Sequence, residues 1–231
     1  MFRHKKHLFF DLDHTLWDFE SNAADCLSEI FVNHAFEAKG VSKTDFLSTF
    51  SSVNRYLWTQ LEQNLISHDH IRKERFKLAF DKLGFPIEET LSENLNAHFL
   101  ELLPRKSKLI PDCLEVLTKL HGTYELHILS NGYQEVQKLK MSTGGINHYF
   151  DKIITNDIAG ARKPDRQIFE FALQQAKAKP QDSLMIGDSF DADILGARNA
   201  GLDAIHLTEN NVEKPLGHHT ISSLKQILDY L

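Results

Sequence analysis

Cysteine is scarce in this sequence, which has only two among its 231 residues, Cys26 and Cys113. The two lie far apart and outside any Cys-x-x-Cys pattern, so neither a disulfide framework nor a zinc knuckle is indicated. The chain also lacks an excess of positive charge, because its formal net charge is -6. That balance argues against a mainly electrostatic grip on nucleic acid, and we expect no nucleic-acid partner.

Long hydrophobic runs are missing as well. No stretch reaches the roughly 18 apolar residues that a membrane-spanning helix needs, and the run Leu8-Phe9-Phe10 is too short for the core of a signal peptide. We therefore expect no membrane association, and the low cysteine content favours a reducing, cytoplasmic location. With 42% hydrophobic and 25% charged residues, the composition is that of an ordinary globular protein.

The segment from residue 17 to residue 105 has a helical pattern and no convincing strand. Apolar residues recur there at helical spacing in three stretches, residues 23–31, 76–83 and 91–102. Gly84-Phe85-Pro86 ends the second stretch and Pro104 stops the third. The pattern predicts an all-helical unit.

The chain after Leu109 alternates short apolar strands with helices. Strands are predicted over residues 124–129, 152–155, 183–186 and 204–207, and helices over 112–120, 135–141, 166–178 and 191–200. Such alternation is typical of right-handed βαβ units that build a parallel sheet. The apolar run before Asp11 finds strand partners only in this block. We therefore predict an α/β core with a Rossmann-like parallel sheet, made of residues 1–16 and 106–231, and an inserted helical cap of residues 17–105.

Two aspartates, Asp11 and Asp13, follow the first apolar run. Residues two apart on a strand point to the same side, so the two carboxylates can meet in one crevice. Like charges that close repel by about 4 kcal/mol at ~4 Å under an effective dielectric of about 20. A protein tolerates such a pair when a cation, a proton or chemistry needs it.

Polar residues also follow the other predicted strands, where open parallel sheets bind their ligands. Ser130 and Asn131 follow the second strand, and Asp188, Asp191 and Asp193 follow the strand that begins at residue 183. Lys163-Pro164 is predicted to open the helix before that strand, since proline suits the first helical turn. Acids, a hydroxyl and an ammonium are thus expected at one edge of the sheet.

This ordered set resembles the haloacid dehalogenase superfamily, whose four motifs appear here in sequence. They are Asp11-Leu12-Asp13-His14-Thr15, Ser130, Lys163, and Gly187-Asp188 through Asp193. The resemblance covers the core, and the insertion point is similar to that of members with a helical cap of the first type. It implies a Mg²⁺-dependent hydrolase of phosphomonoesters.

The resemblance implies roles for four principal residues. Asp11 is the expected nucleophile and would form an aspartyl-phosphate, and Asp13 is the expected general acid and base. Lys163 would add positive charge where negative charge develops. The expected Mg²⁺ ligands are the Asp11 carboxylate, the Asp13 backbone carbonyl and the Asp188 carboxylate.

Four further residues have supporting roles. Ser130, Asn131 and Thr15 are predicted to contact the substrate's phosphoryl group, although Thr15 can equally position Asp13 or cap a turn. Asp193 would hold a metal-bound water or Lys163. Asp191 competes with Asp193 for that role, and the sequence leaves the choice open.

Single features of the sequence distinguish phosphoester hydrolysis from the other functions that use similar motifs. Haloacid dehalogenases need no acid in the position of Asp13, and receiver domains lack an insert of this size. A phosphonatase needs a Schiff-base lysine in the cap, and nothing singles out Lys39, Lys43 or Lys73. A non-catalytic phosphate-binding module would not need the intact acidic set. Phosphoester hydrolysis is therefore the preferred interpretation.

Finer similarity concerns the subfamily of pyrimidine 5′-nucleotidases that act on noncanonical nucleoside monophosphates. It rests on segments such as Ser130-Asn131-Gly132-Tyr133 and Gln137-Lys138-Leu139. It implies substrates like UMP, dUMP and dTMP, with phosphoglycolate or a sugar phosphate as the alternative. The sequence does not decide the oligomeric state between a monomer and a homodimer.

Overall fold

The computed structural model describes residues 1–208 and 219–231. The chain forms two compact units, one of Met1–Phe19 with Ser107–Leu231 and one of Glu20–Lys106. The first unit is the α/β core and the second contains helices. No helix in the described part of the chain is both long and apolar enough to cross a membrane.

The α/β unit contains a parallel sheet of six strands, which confirms the predicted fold class. Their order across the sheet is β3-β2-β1-β4-β5-β6. In chain order they are β1 His7–Phe10, β2 Glu125–Ser130, β3 Lys152–Thr155, β4 Ser183–Gly187, β5 Asp203–Leu207 and β6 His219–Ile221. The last strand was not predicted, because three residues are too few to show a periodic pattern.

Strand β1 lies at the centre of the sheet and is buried along its whole length. Its continuous apolar run suits a parallel strand covered on both faces. Phe10 pairs in register with Ile128 of β2 and Ile186 of β4. The three strands therefore end within two residues of one another, and the residues that follow them enter one crevice, where the strand order reverses.

Helices connect these strands. They are α5 Cys113–Leu120, α6 Gln134–Thr143, α7 Asn156–Ala159, α8 Arg166–Ala176 and α9 Gly196–Asn199, with a π-helical segment over Phe190–Leu195 before α9. Buried residues such as Phe9, Phe169 and Met185 form an apolar cluster of this unit.

The prediction that Lys163-Pro164 opens a helix is wrong. The N-cap of α8 is Asp165, whose carboxylate accepts a hydrogen bond from the Gln167 backbone N–H at 2.9 Å. Aspartate is a strong N-cap because its side chain satisfies a free helical N–H. Lys163 and Pro164 thus lie in the loop before the helix, joined by a cis peptide bond.

The second unit, all of whose residues the structure describes, is built on four α-helices. They are α1 Phe19–Asn33, α2 Lys43–Glu62, α3 His68–Lys82 and α4 Glu89–Leu102. The stripes predicted from the sequence lie on α1, α3 and α4. Helix α2 lies inside the predicted helical unit but on none of its predicted stripes, although its buried residues Phe46, Phe50 and Val53 repeat at helical spacing. Phenylalanine rings from α2, α3 and α4 pack together, as Phe50 does with Phe99 at a centroid distance of 5.1 Å.

Candidate active site

Three carboxylates converge at the carboxyl end of the sheet. Asp11 follows β1, Asp188 follows β4, and Asp193 lies in the π-helical segment after β4. Each offers an oxygen within 4.8 Å of the other two. The structure therefore brings residues 11 and 188 together, as the sequence predicted for a shared cation.

Lys163 is the cation that the structure places among these acids. Its Nζ donates hydrogen bonds to Asp11 Oδ1 and Asp193 Oδ1, each at 2.6 Å, and to the Leu129 carbonyl at 2.8 Å. The residue is only 2% exposed. Burial lowers the pKa of Lys163, but the charges of Asp11 and Asp193 outweigh this effect and hold the pKa above its usual value. Lys163 is therefore a fixed positive charge.

Asn131 holds the loop that carries Lys163. The Lys163 backbone N–H donates to Asn131 Oδ1 at 2.8 Å, and Asn131 Nδ2 donates to the Lys163 carbonyl at 3.0 Å. Both polar groups of the side chain are thus used within the protein. The predicted contact between the Asn131 side chain and the phosphoryl group differs from this arrangement, in which Asn131 instead orients Lys163.

The charges of the cluster do not balance. Three carboxylates and one ammonium leave a net charge of -2 when all are ionised. Burial, against the attraction of Lys163, raises the pKa of Asp11 to about 7, and burial together with Asp11 and Asp193 raises the pKa of Asp188 well above its usual value. A set of carboxylate oxygens with this excess charge fits a hard divalent cation such as Mg²⁺.

Asp193, and not Asp191, lies in this cluster. Asp193 is 1% exposed, and its Oδ2 accepts a hydrogen bond from the Ser189 backbone N–H at 3.0 Å. Asp191 is exposed to solvent. The Asp193 carboxylate also packs directly against Gly187, because a Cβ atom added there would lie 2.1 Å from Asp193 Oδ2. Gly187 thus leaves the space that Asp193 occupies.

We expect Gly187→Ala to displace Asp193. The added methyl group should lower the free energy of unfolding by about 1–3 kcal/mol through overpacking and lower turnover by roughly 10²-fold by misplacing the site. Chemical denaturation and steady-state kinetics would measure both. A Gly187→Ala enzyme as active as the parent would contradict this packing argument.

Asp13 lies in a separate polar network. Lys140 Nζ donates to Asp13 Oδ1 at 2.7 Å and Oδ2 at 2.9 Å, and Gln137 Nε2 donates to Asp13 Oδ2 at 2.9 Å. Burial raises the pKa of Asp13, but the Lys140 charge and the hydrogen bonds from Gln137 and Lys140 lower it more, so its pKa lies below the usual value. Sequence reasoning did not identify Lys140 or Gln137 as site residues. Their spacing of three on α6 is the signal that was available.

The two hydroxyl residues occupy different parts of the site. Ser130 Oγ, at the end of β2, accepts hydrogen bonds from Gln137 Nε2 at 2.7 Å and the Gly132 backbone N–H at 3.2 Å. Thr15 Oγ1 donates to Asp188 Oδ1 at 3.3 Å. Thr15 thus contacts the acidic cluster, and not Asp13 as one of the sequence interpretations proposed.

A second group of possible ligands lies at the start of β1 and in β2. His7 Nδ1 and His127 Nε2 are 3.3 Å apart, and Glu125 lies beside them. Burial, with a smaller contribution from His7, lowers the pKa of His127 to about 4, so this ring is neutral near pH 7. The pair lies toward the amino ends of β1 and β2, away from Asp11 and Ser130, and does not belong to the site.

Comparison with known proteins identifies a family of hydrolases and relatives that are named as phosphatases. The family model described as a haloacid dehalogenase-like hydrolase matches residues 5–201. The chain is 29% identical to the pyrimidine 5′-nucleotidase YjjG of Escherichia coli, with 95% of each chain covered. It is 32% identical to a glyceraldehyde 3-phosphate phosphatase of Methanothermobacter thermautotrophicus, over 96% of this chain and 99% of that one.

A crystal structure with a similar fold is that of the HAD-hydrolase YfnB from Bacillus subtilis, which is bound to magnesium. It superposes with a TM-score of 0.85 at 24% identity and covers 98% of both chains. At this level of identity the likeness shows the fold.

Proposed function

The chain belongs to the haloacid dehalogenase-like hydrolase family, and from that premise we propose that it is a Mg²⁺-dependent nucleoside 5′-monophosphatase that works through an aspartyl-phosphate. The observation that carries the proposal is the cluster of Asp11, Lys163, Asp188 and Asp193. It combines a carboxylate nucleophile, a fixed ammonium and further acids in one buried crevice.

Mg²⁺ fits this cluster because the donors are carboxylate oxygens with uncompensated negative charge. Asp11 and Asp188 would hold it through their carboxylates and Asp13 through its backbone carbonyl. When bound, the ion neutralises negative charge on the phosphoryl group and on its attacker.

Asp11 is the residue that attacks phosphorus. Its Oδ1 accepts the hydrogen bond from Lys163, which fixes the orientation of the carboxylate. An Asp11 oxygen forms the bond to phosphorus while the bond from phosphorus to the ester oxygen breaks, and the alkoxide leaves. Lys163 stabilises the negative charge that develops during this step.

Asp13 handles the protons. It takes up a proton from solvent and gives it to the leaving alkoxide. It then accepts a proton from the water that attacks the aspartyl-phosphate, which releases phosphate and returns Asp11 to its starting form. The proton transfer from water fits the structure, because Lys140 and Gln137 favour the carboxylate form of Asp13, which can accept a proton. Ser130 Oγ and nearby backbone N–H groups hold phosphoryl oxygens.

A pyrimidine nucleoside monophosphate is the proposed substrate. The support is the similarity to a pyrimidine 5′-nucleotidase over nearly the whole of both chains, together with the segment around Ser130. A sugar phosphate is the second candidate, because the glyceraldehyde 3-phosphate phosphatase is similar over the same extent.

A substrate panel tests this choice. The purified protein should hydrolyse UMP, dUMP and dTMP with kcat/KM at least ~10-fold above the values for phosphoglycolate and glyceraldehyde 3-phosphate, and EDTA should remove the activity. A preference for phosphoglycolate or glyceraldehyde 3-phosphate would contradict the proposed substrate but not the proposed phosphatase activity. Failure to release phosphate from any compound of the panel with Mg²⁺ would refute the function itself.

Metal binding should depend on pH because of Asp11. Its pKa is raised from 3.8 to about 7 in the folded, metal-free protein. The folded state then holds a proton that the unfolded state has lost, so this contribution to stability is complete below about pH 4 and disappears as the pH rises toward 7. Mg²⁺ must displace the same proton, so its affinity should increase over that range.

Thermal unfolding between about pH 6 and pH 8, with and without Mg²⁺, measures this linkage. The rise in Tm caused by Mg²⁺ should be larger at the higher pH. In Asp11→Asn this pH dependence should be reduced, because the titrating group is gone. A rise in Tm that is the same at each pH would contradict the assignment.

A further inference from the structure

The carboxylate of Asp13 is oriented by a single helix. In the described part of the chain its side-chain hydrogen bonds come from Lys140, to both oxygens, and from Gln137, to Oδ2. Both donors lie on α6, which begins four residues after Ser130. The position of α6 therefore sets the direction of this carboxylate.

Lys140 is not an ordinary surface lysine. Its side chain is 6% exposed, and its Nζ lies 4.7 Å from the centroid of the Trp17 ring and 6.0 Å from that of Phe19. An ammonium removed from water is costly unless it is paired. The bidentate contact with Asp13 supplies the pair, and the aromatic faces add a cation–π attraction. Lys138 on the same helix is about half exposed and pairs with Glu135.

Gln137 connects Asp13 to the predicted phosphoryl contact. The same Nε2 atom donates to Asp13 Oδ2 at 2.9 Å and to Ser130 Oγ at 2.7 Å. The residue is fully buried, and a Cβ atom on Gly132 would lie 2.5 Å from this nitrogen. Gly132 therefore makes room for the bridge, which keeps Asp13 and Ser130 in a fixed relation.

We propose that Lys140 is a positioning residue, which with Gln137 fixes the Asp13 carboxylate beside Ser130 in the orientation that proton transfer requires. The proposal rests on the proposed role of Asp13 as general acid and base. Lys140 acts through Asp13 and is separated in function from Lys163, which contacts the nucleophile. Its loss should therefore impair turnover and leave substrate binding largely intact.

Steady-state kinetics of Lys140→Met provide the first test. We expect kcat to fall by roughly 10- to 100-fold, because a misoriented group slows the reaction to this extent, while KM changes by less than about 3-fold. Lys140→Arg keeps the charge and should recover most of kcat. Lys138→Met is the matched control and should behave like the parent. If Lys140→Met does not fold, Lys140→Gln replaces it.

A double-mutant cycle identifies the residue through which Lys140 acts. In an Asp13→Asn background, Lys140→Met should cause little further loss, because residues that act as one unit are not additive. Losses that multiply would overturn the proposal. So would a Lys140→Met enzyme with the kcat of the parent, or one whose loss appears only in KM.

Crystal structures of the parent and of Lys140→Met supply a readout that does not depend on turnover. The parent should show one Asp13 orientation, and the variant should show a rotated side chain or several conformers. An unchanged Asp13 in the variant would overturn the positioning role even in an active enzyme. Lack of turnover by the parent on every phosphomonoester would refute the proposed function instead, and the Asp13 orientation would still decide this inference.

Discussion

Replacing Asp11 with Asn should abolish turnover, with a loss on the order of 10⁵- to 10⁶-fold, because the amide oxygen is a poor nucleophile and no aspartyl-phosphate can form. The substitution keeps the shape of the side chain. It also removes one member of a crowded set of like charges, whose burial already raises the pKa of Asp11 to about 7. We therefore expect the metal-free variant to be folded and at least as stable as the parent.

Hydrolysis of p-nitrophenyl phosphate with Mg²⁺, together with circular dichroism, measures both parts of this prediction. Asp191→Asn is the matched control, because Asp191 lies close to the site in sequence but is exposed. That control should keep full activity. An Asp11→Asn enzyme that retains turnover would mean that another group attacks phosphorus.

Replacing Asp13 with Asn should slow turnover by about 10²- to 10⁴-fold, the usual contribution of general acid and base catalysis. The loss should depend on the leaving group. A nitrophenolate leaves without protonation, so the variant should form the aspartyl-phosphate at nearly the rate of the parent. Hydrolysis of the aspartyl-phosphate still needs Asp13 as the base. An alkyl ester needs Asp13 in both steps, as the acid in the first and as the base in the second.

Rapid-mixing kinetics with p-nitrophenyl phosphate would reveal this difference. Asp13→Asn should release about one nitrophenolate per active site in a burst, followed by slow turnover. The parent should show a smaller burst or none. A linear time course for the variant, with the slow rate from the start, would place Asp13 outside the second step.

The core of the site could be predicted from sequence because it follows from strand topology. Asp11 and Asp188 follow apolar runs that were predicted as strands of one parallel sheet, and the structure pairs these strands and brings the two carboxylates together. Ser130 likewise ends a strand. Lys163 lies in the loop before α8, and its place in the site follows from the resemblance to the haloacid dehalogenase superfamily. Local pattern and the geometry of parallel sheets were sufficient to bring Asp11, Ser130 and Asp188 to one edge, and the resemblance supplied their roles.

Other features of the site depend on contacts between segments that are distant along the chain. Local sequence patterns do not reveal such contacts. The amide of Asn131 binds the backbone of Lys163, 32 residues further along the chain. Lys140 reaches Asp13 across 127 residues. The choice of Asp193 over Asp191 depends on which carboxylate fits against Gly187, and that space exists only in the folded chain.

Some errors concern local structure, where a stronger signal was available. Pro164 predicts a helix start, but the N-cap of α8 is Asp165, one residue later, because its side chain accepts a hydrogen bond from a helical N–H. Helix α2 has an apolar repeat from Phe46 to Leu61, which is the signal that predicts it. Strand β6 is so short that pairing with β5, and not its own composition, makes it a strand.

The central claim is that Asp11 carries the phosphoryl group between the two steps. The most direct measurement is acid quenching of Asp13→Asn during turnover of a phosphomonoester, followed by proteolysis and mass spectrometry of the peptides. The account predicts one phosphate on the peptide that contains residue 11, and none when Asp11 is also changed to Asn. A phosphate found on another residue, such as Ser130, or turnover without any phosphorylated enzyme, would contradict it.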